Sequence, residues 1–158
     1  LDDNGSNSYL PAGARIGVNP TFLIEGIRQN IKEFALPNRL FRHHGGGIEH
    51  LTMVPSTINE MLMQSYEGVI RLFPCWDKKS DASFENLRSD GAFLVSAQLK
   101  NGEVKSLELK SLKGRACNVE CPGIKTVLRK ADNVQVEFSK KGNIISFETD
   151  ENEEYVLI

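Results

Sequence analysis

Two periodicities divide the chain. From Pro20 to Leu36 the apolar residues Leu23, Ile27, Ile31 and Phe34 recur at three- and four-residue spacing, which predicts an amphipathic helix. Asn19 is placed to cap its start, Pro20 suits its first position, and Pro37 ends it. A second helix is predicted from about Ser56 to Tyr66. Thr57 and Glu60 have the spacing of a capping box, Ile58, Met61, Leu62 and Tyr66 form an apolar stripe, and Gly68 stops the run.

From Val69 onward the repeat falls to two. Phe93, Val95, Ala97 and Leu99 alternate with Leu94, Ser96, Gln98 and Lys100, and Asn101-Gly102 is a strong hairpin signal. The return strand passes through Val104, Leu107 and Leu109. Further short strands are predicted at Arg115–Glu120, Thr126–Lys130, Val134–Phe138, Ile144–Thr149 and Tyr155–Ile158, with glycine turns at Lys113-Gly114, Pro122-Gly123 and Lys141-Gly142-Asn143. Residues 75–90 read as a polar crossover loop. The expected fold is mainly β with a few N-terminal helices: an antiparallel β-sandwich of seven or eight strands. Two helices cannot cover each other fully and also close a site, so they either pack on the β domain or, the preferred reading, are the last helices of a larger helical body.

Composition narrows the function classes. The 158 residues, 40% of them apolar, suit one domain or a small domain with part of another. A formal net charge of −2 supplies no basic footprint, so no nucleic-acid partner is expected. No apolar run approaches the ~20 residues that span a bilayer. The polar, glycine-rich opening segment has neither an initiating methionine nor a signal-peptide pattern, and the chain is read as a piece of a longer protein. Cys117 and Cys121 either pair across a bend or, like Cys75, sit as small buried thiols. Their Cys-x3-Cys spacing has no second pair, which argues against zinc, and no cofactor or metal is expected.

The candidate chemistry lies in Gly45-Gly46-Gly47-Ile48-Glu49-His50. Three glycines let the backbone approach a ligand closely, and no Gly-Lys-Ser/Thr follows, so this is no phosphate loop. Glu49 is read either as a loop carboxylate bonded to nearby amides or as a functional acid. His43, His44 and His50 have no established metal-ligand spacing and read as surface or substrate-lining imidazoles. Trp76 either stacks on a sugar or pins the crossover loop to the core.

The stretch Ile58-Asn59-Glu60-Met61-Leu62-Met63-Gln64-Ser65-Tyr66-Glu67-Gly68-Val69-Ile70-Arg71-Leu72-Phe73-Pro74 is similar to a motif of glycoside hydrolase family 95, the inverting α-L-fucosidases and their α-L-galactosidase relatives: Ile-x-Glu-Met-Leu-Leu-Gln-Ser-His-x-Gly-x-Ile-x-Leu-Leu-Pro. The resemblance runs strongly over residues 58–74 and loosely after residue 100. It implies that residues 1–68 are the terminal helices and loops of an incomplete α/α toroid catalytic domain, and residues 69–158 a C-terminal antiparallel β domain. Counting back without gaps from the shared helix sets Glu49 at the aspartate of the family's Asp-Gly-Asn-Phe-Gly-Gly run. That aspartate assists an asparagine that positions water, while a separate glutamate is the general acid. The two catalytic groups of an inverting glycosidase stand ~6.5–9.5 Å apart, and the partners of Glu49 would lie upstream.

The resemblance thus implies a catalytic Glu49, a glycan substrate reached through the parent enzyme, and the upstream toroid as partner; of the imidazoles, His44 and His50 are taken as the substrate-binding candidates. It also implies a periplasmic or extracellular parent and a fragment inactive alone. A competing reading is a non-catalytic carbohydrate-binding or structural β module, whose signature would be coplanar aromatics on one sheet face. A third makes the chain a dimer that hides an apolar strip of the Pro20–Leu36 helix.

Overall fold

The computed structural model describes residues 8–38, 40–42 and 49–158, with residues 49–51 described in backbone only. The chain forms two compact units. One runs to Leu62 and takes in Pro74–Asp77, and the other comprises Met63–Phe73 and Lys78–Ile158.

The first unit is helical: α1 Tyr9–Arg15, α2 Pro20–Phe34 and α3 Glu49–Leu62. The sequence reading passed over α1 as a polar opening segment. Its helix is held by tertiary burial, because Leu10 and Ala14, one turn apart, are both buried. Two glycines let α1 and α2 meet closely. A Cβ at position 13 would stand 3.1 Å from Leu23 Cδ2, and one at position 26 would stand 3.1 Å from Leu10 Cδ2. Each leucine therefore sits over the glycine of the other helix. Helix α2 starts as expected, with the Asn19 side chain accepting from Thr21 N–H at 2.9 Å and Pro20 in the first turn. Leu23 and Ile27 are buried on its inner face, whereas Ile31 is 42% exposed.

Helix α3 corrects the expected capping box. It begins at Glu49, seven residues before Ser56, and passes through Pro55. Thr57 is therefore interior to the helix, fully buried, and its Oγ1 donates to Met53 O at 2.6 Å. Glu60 does not return to a cap but forms a two-pronged ion pair with Arg15 of α1. Met53, Thr57 and Met61 recur every four residues along the buried line of α3, and Met53 and Met61 join Leu10, Ala14, Leu23, Ile27 and Cys75 in one apolar cluster. Cys75 is fastened there by a thiol bond to Val18 O at 3.1 Å, and Trp76 packs partly buried against the same cluster. Trp76 thus takes the pinning place of its two readings.

The second unit is mainly β, with two five-stranded sheets among the described residues. The first sheet contains β1 Met63–Gln64, β2 Ile70–Leu72, β6 Cys117–Glu120, β9 Ile144–Phe147 and β8 Ser139–Lys141, in that spatial order. The second runs β3 Ala82–Ser89, β4 Phe93–Lys100, β5 Glu103–Ser111, β10 Glu154–Leu157 and β7 Val127–Arg129. All pairings are antiparallel except β2 with β6, which is parallel. Cys117, Val119, Ile145 and Phe147 are the buried faces of the first sheet; Val95, Leu107, Leu109, Val127, Tyr155 and Leu157 are those of the second. Rings of the two sheets meet where Phe147 contacts Tyr155 edge-on at 5.4 Å. Each of these large side chains contributes about 1.5–3 kcal/mol by leaving water.

Backbone chemistry explains the registers. Asn101 (φ 52°) and Gly102 (φ 79°) form the left-handed pair that a type I′ hairpin requires. The β4–β5 register shifts after Gln98↔Ser106 to Leu99↔Val104, so one residue bulges. That bulge reconciles Val104 with the odd-numbered Leu107 and Leu109, which alternation alone would set on opposite faces.

Three expectations fail here. Tyr66 lies outside the helix, in a 3₁₀ turn Tyr66–Gly68, and is 37% exposed. Residues 75–90 contain strand β3; it is an edge strand whose alternation breaks at a bulge where Asn86 (φ 55°) gives its N–H to Ser96 Oγ. Only Phe84 and Ser89 of β3 are buried, so the period-two signal is lost. The Val134–Phe138 alternation makes a single bridge, Gln135 to Leu128, and Val134 is 49% exposed. The turn at Asn133 (φ 57°), closed by the Arg129–Asp132 ion pair, folds this segment back on β7 before it crosses to β8 in the other sheet.

Tyr155 offers a direct test of how the β unit is fastened. Its hydroxyl accepts from Asp150 N–H at 2.8 Å, closing the turn before β10. Tyr155→Phe is expected to cost about 1 kcal/mol in urea unfolding, with the slope on urea unchanged. An unchanged midpoint would show that water replaces this bond without loss.

Candidate functional site

Helix α3 carries the expected site. Glu49 and His50 are its first two residues, described in backbone only, and His43 and His44 lie outside the described residues. Glu49 therefore belongs to a helical first turn, where the sequence reading set it in a loop. The structure neither brings the Glu49, His44 and His50 side chains together nor separates them. What it does define is the frame behind Glu49. One turn along α3, Met53 is buried, and its carbonyl is taken by Thr57; two turns further, Met61 is fully buried and Glu60 is held by Arg15.

The segment after α3 is fixed by a surface cluster around Arg71. Its guanidinium lies 4.3 Å from the Tyr66 ring centroid, donates to Tyr66 O at 3.0 Å, and pairs with Glu67 at 3.3 Å and Glu120 at 3.5 Å. Glu67 has φ 57°, a conformation this cluster holds in place. These contacts join the 3₁₀ turn to β2 and β6, so the arginine acts as a fastener.

The outer face of the second sheet carries paired lysines and glutamates. Lys130 reaches Glu108 at 2.6 Å and Glu154 at 3.4 Å, and Glu154 also meets Lys110. The Lys110 contact, against an opposing effect of burial and with Lys130 adding to it, holds the Glu154 carboxyl below its ordinary range. Exposed pairs of this kind contribute little to stability.

All three cysteines are free and buried, so Cys117 and Cys121 do not pair. Burial alone pushes the Cys117 thiol up to about 12, which makes it inert as a nucleophile at neutral pH. Among the described residues no three His, Cys, Asp or Glu side chains converge as metal ligands. No helix among them is long and apolar enough to cross a membrane.

The polar, outward positions of β6, β8 and β9 were passed over in the sequence, because their grouping depends on register between distant strands. They line an open groove of about 650 Å³.

No curated protein matches the chain. A family profile does: the glycoside hydrolase family 95, C-terminal domain, matches residues 64–157, from β1 to the end of β10. The match covers more than half of the chain and takes in both sheets of the β unit. The chain belongs to glycoside hydrolase family 95, and residues 64–157 are its C-terminal domain.

Proposed function

We propose that the chain is the C-terminal part of an inverting glycosidase of the α-L-fucosidase type. In this reading it contributes one active-site carboxylate, Glu49, with His44 and His50 beside the substrate, and a β domain that buttresses an upstream toroid. The observation that carries the reading is the family match over residues 64–157. Continuity of the chain supports it further, because α3, which begins at Glu49, runs without a loop into β1, where the matched domain starts. Residues 58–74, the part most similar to the family's motif, span that junction.

The proposal assigns residues 1–68 to the toroid's last helices and residues 69–158 to the trailing β domain. The general acid and the water-positioning asparagine belong to the upstream part of a periplasmic or extracellular parent. A single carboxylate cannot perform inversion, because the acid and the water-activating group act on opposite faces of the sugar.

The test compares the full-length parent with the 158-residue chain on 4-nitrophenyl α-L-fucoside. The parent is expected to release the β-anomer of fucose first, seen by NMR before mutarotation, and the chain alone to release none. Hydrolysis by the chain alone, or first release of the α-anomer by the parent, would overturn the proposal. Turnover of an α-L-galactoside in place of the fucoside would keep the family and change the sugar.

A further inference from the structure

The groove of the β unit has a composition that the fold does not require. Asn118 of β6 pairs with Ser146 of β9, and Ser146 pairs with Ser139 of β8. Their neighbours Cys117, Val119, Ile145 and Phe147 are buried, so by alternation Asn118 and Ser146 face away from the core. The three form one polar row across three strands. Phe138 and Val136, both partly buried, line the groove beside this row, and Glu137 and Glu148 add carboxylates. Among the described residues no lysine, arginine or histidine lines it, although Lys140 and Lys141 are the next residues of β8.

The orientation of Asn118 is set. Its Nδ2 donates to Gly68 O at 3.1 Å, which leaves Oδ1 as the acceptor available to a ligand. The serine hydroxyls both donate and accept, and the two glutamates accept. A ligand matching this lining presents many hydroxyl donors, carries no negative charge, and offers a C–H face to the Phe138 ring. From this geometry we infer that the groove on the outer face of β6, β9 and β8 is a binding site for neutral oligosaccharide. The inference rests on the glycan context of the proposed function but not on any role of Glu49 or on hydrolysis. A basic peptide would satisfy the two carboxylates, yet it would leave the hydroxyl-and-amide row and the ring without a matching partner.

The experiment titrates the ¹⁵N-labelled 158-residue chain with cellohexaose, xylohexaose and maltohexaose at millimolar concentrations. At least one is expected to shift the amides of Asn118, Ser139 and Ser146. Phe138→Ala is expected to weaken binding about tenfold, the scale of losing one ring contact. Ser146→Leu fills the groove from a half-buried, outward-facing strand position and is expected to abolish the shifts. Thermal unfolding of both variants verifies that they remain folded. No response to any of the three sugars, shifts confined to other strands, or unchanged affinity in both folded variants would each overturn the site. So would saturable binding of hexalysine in the groove with no response to the sugars. Because the readout is binding by this chain, failure here leaves hydrolysis by the parent untouched, and an inactive parent leaves the groove testable.

Discussion

Glu49→Gln in the full-length parent is expected to lower the turnover of 4-nitrophenyl α-L-fucoside at least ~100-fold, the lower scale of acid–base contributions. The substitution keeps the size and planarity of the side chain and removes its charge. In the proposed role Glu49 assists the attacking water and does not hold the bound sugar, so the loss should appear in kcat more than in KM. Glu49→Asp restores the family's residue type at this alignment position and keeps the charge, so it should retain more activity than Glu49→Gln. Equal activity of wild type and Glu49→Gln would make Glu49 a structural carboxylate at the start of α3.

What the sequence made legible was local. Asn101-Gly102 announced its hairpin because this residue pair favours left-handed φ by itself and needs no partner strand to do so. Asn19-Pro20 marked the start of α2 because a side-chain cap and a preset proline φ are local as well. The Thr57–Glu60 pair had the spacing of a cap but not its context. Burial of Met53 in the helical cluster draws α3 back through Pro55, and Thr57 then bonds within the helix. Strand β3 was hidden because an edge strand with one bulge buries only two side chains, too few for a period to show. The apolar alternation of Val134, Val136 and Phe138 was real, but it marks a segment crossing between sheets and lining a groove.

The functional readings differ in the same way. Family membership was legible because residues 58–74 keep their residue types in order, and the profile match begins within that stretch. Glu49 stood out beside its run of glycines, but a specific role for it came only by counting back from that stretch. The Asn118–Ser146–Ser139 row could not be read at all, because nothing in the chain before folding says that residue 118 will sit beside residue 146.

The alkaline limb of stability gives the second large effect. Cys117 is fully buried on the inner face of β6, and removal of water raises its thiol from an ordinary value of 9.0 to about 12. The folded state keeps the proton through that window while the unfolded chain releases it. The stabilisation is therefore complete below pH 9 and is lost as pH rises towards 12, at up to about 1.4 kcal/mol per pH unit. Between pH 8 and pH 11 Cys117 alone should remove about 3 kcal/mol. Cys75 and Cys121 are also raised by burial and add to the same limb, so the diagnostic quantity is a difference between proteins. Cys117→Ala should begin about 1 kcal/mol less stable at pH 8, from lost sulfur contacts. It should then fall more slowly, cross the wild type near pH 10, and be the more stable protein by about 2 kcal/mol at pH 11. Urea unfolding at pH 8, 9, 10 and 11 measures both curves. Parallel curves would mean that the strand opens to solvent around Cys117 before the thiol ionises, and the packing assigned to β6 and β9 would have to be weaker than its burial indicates.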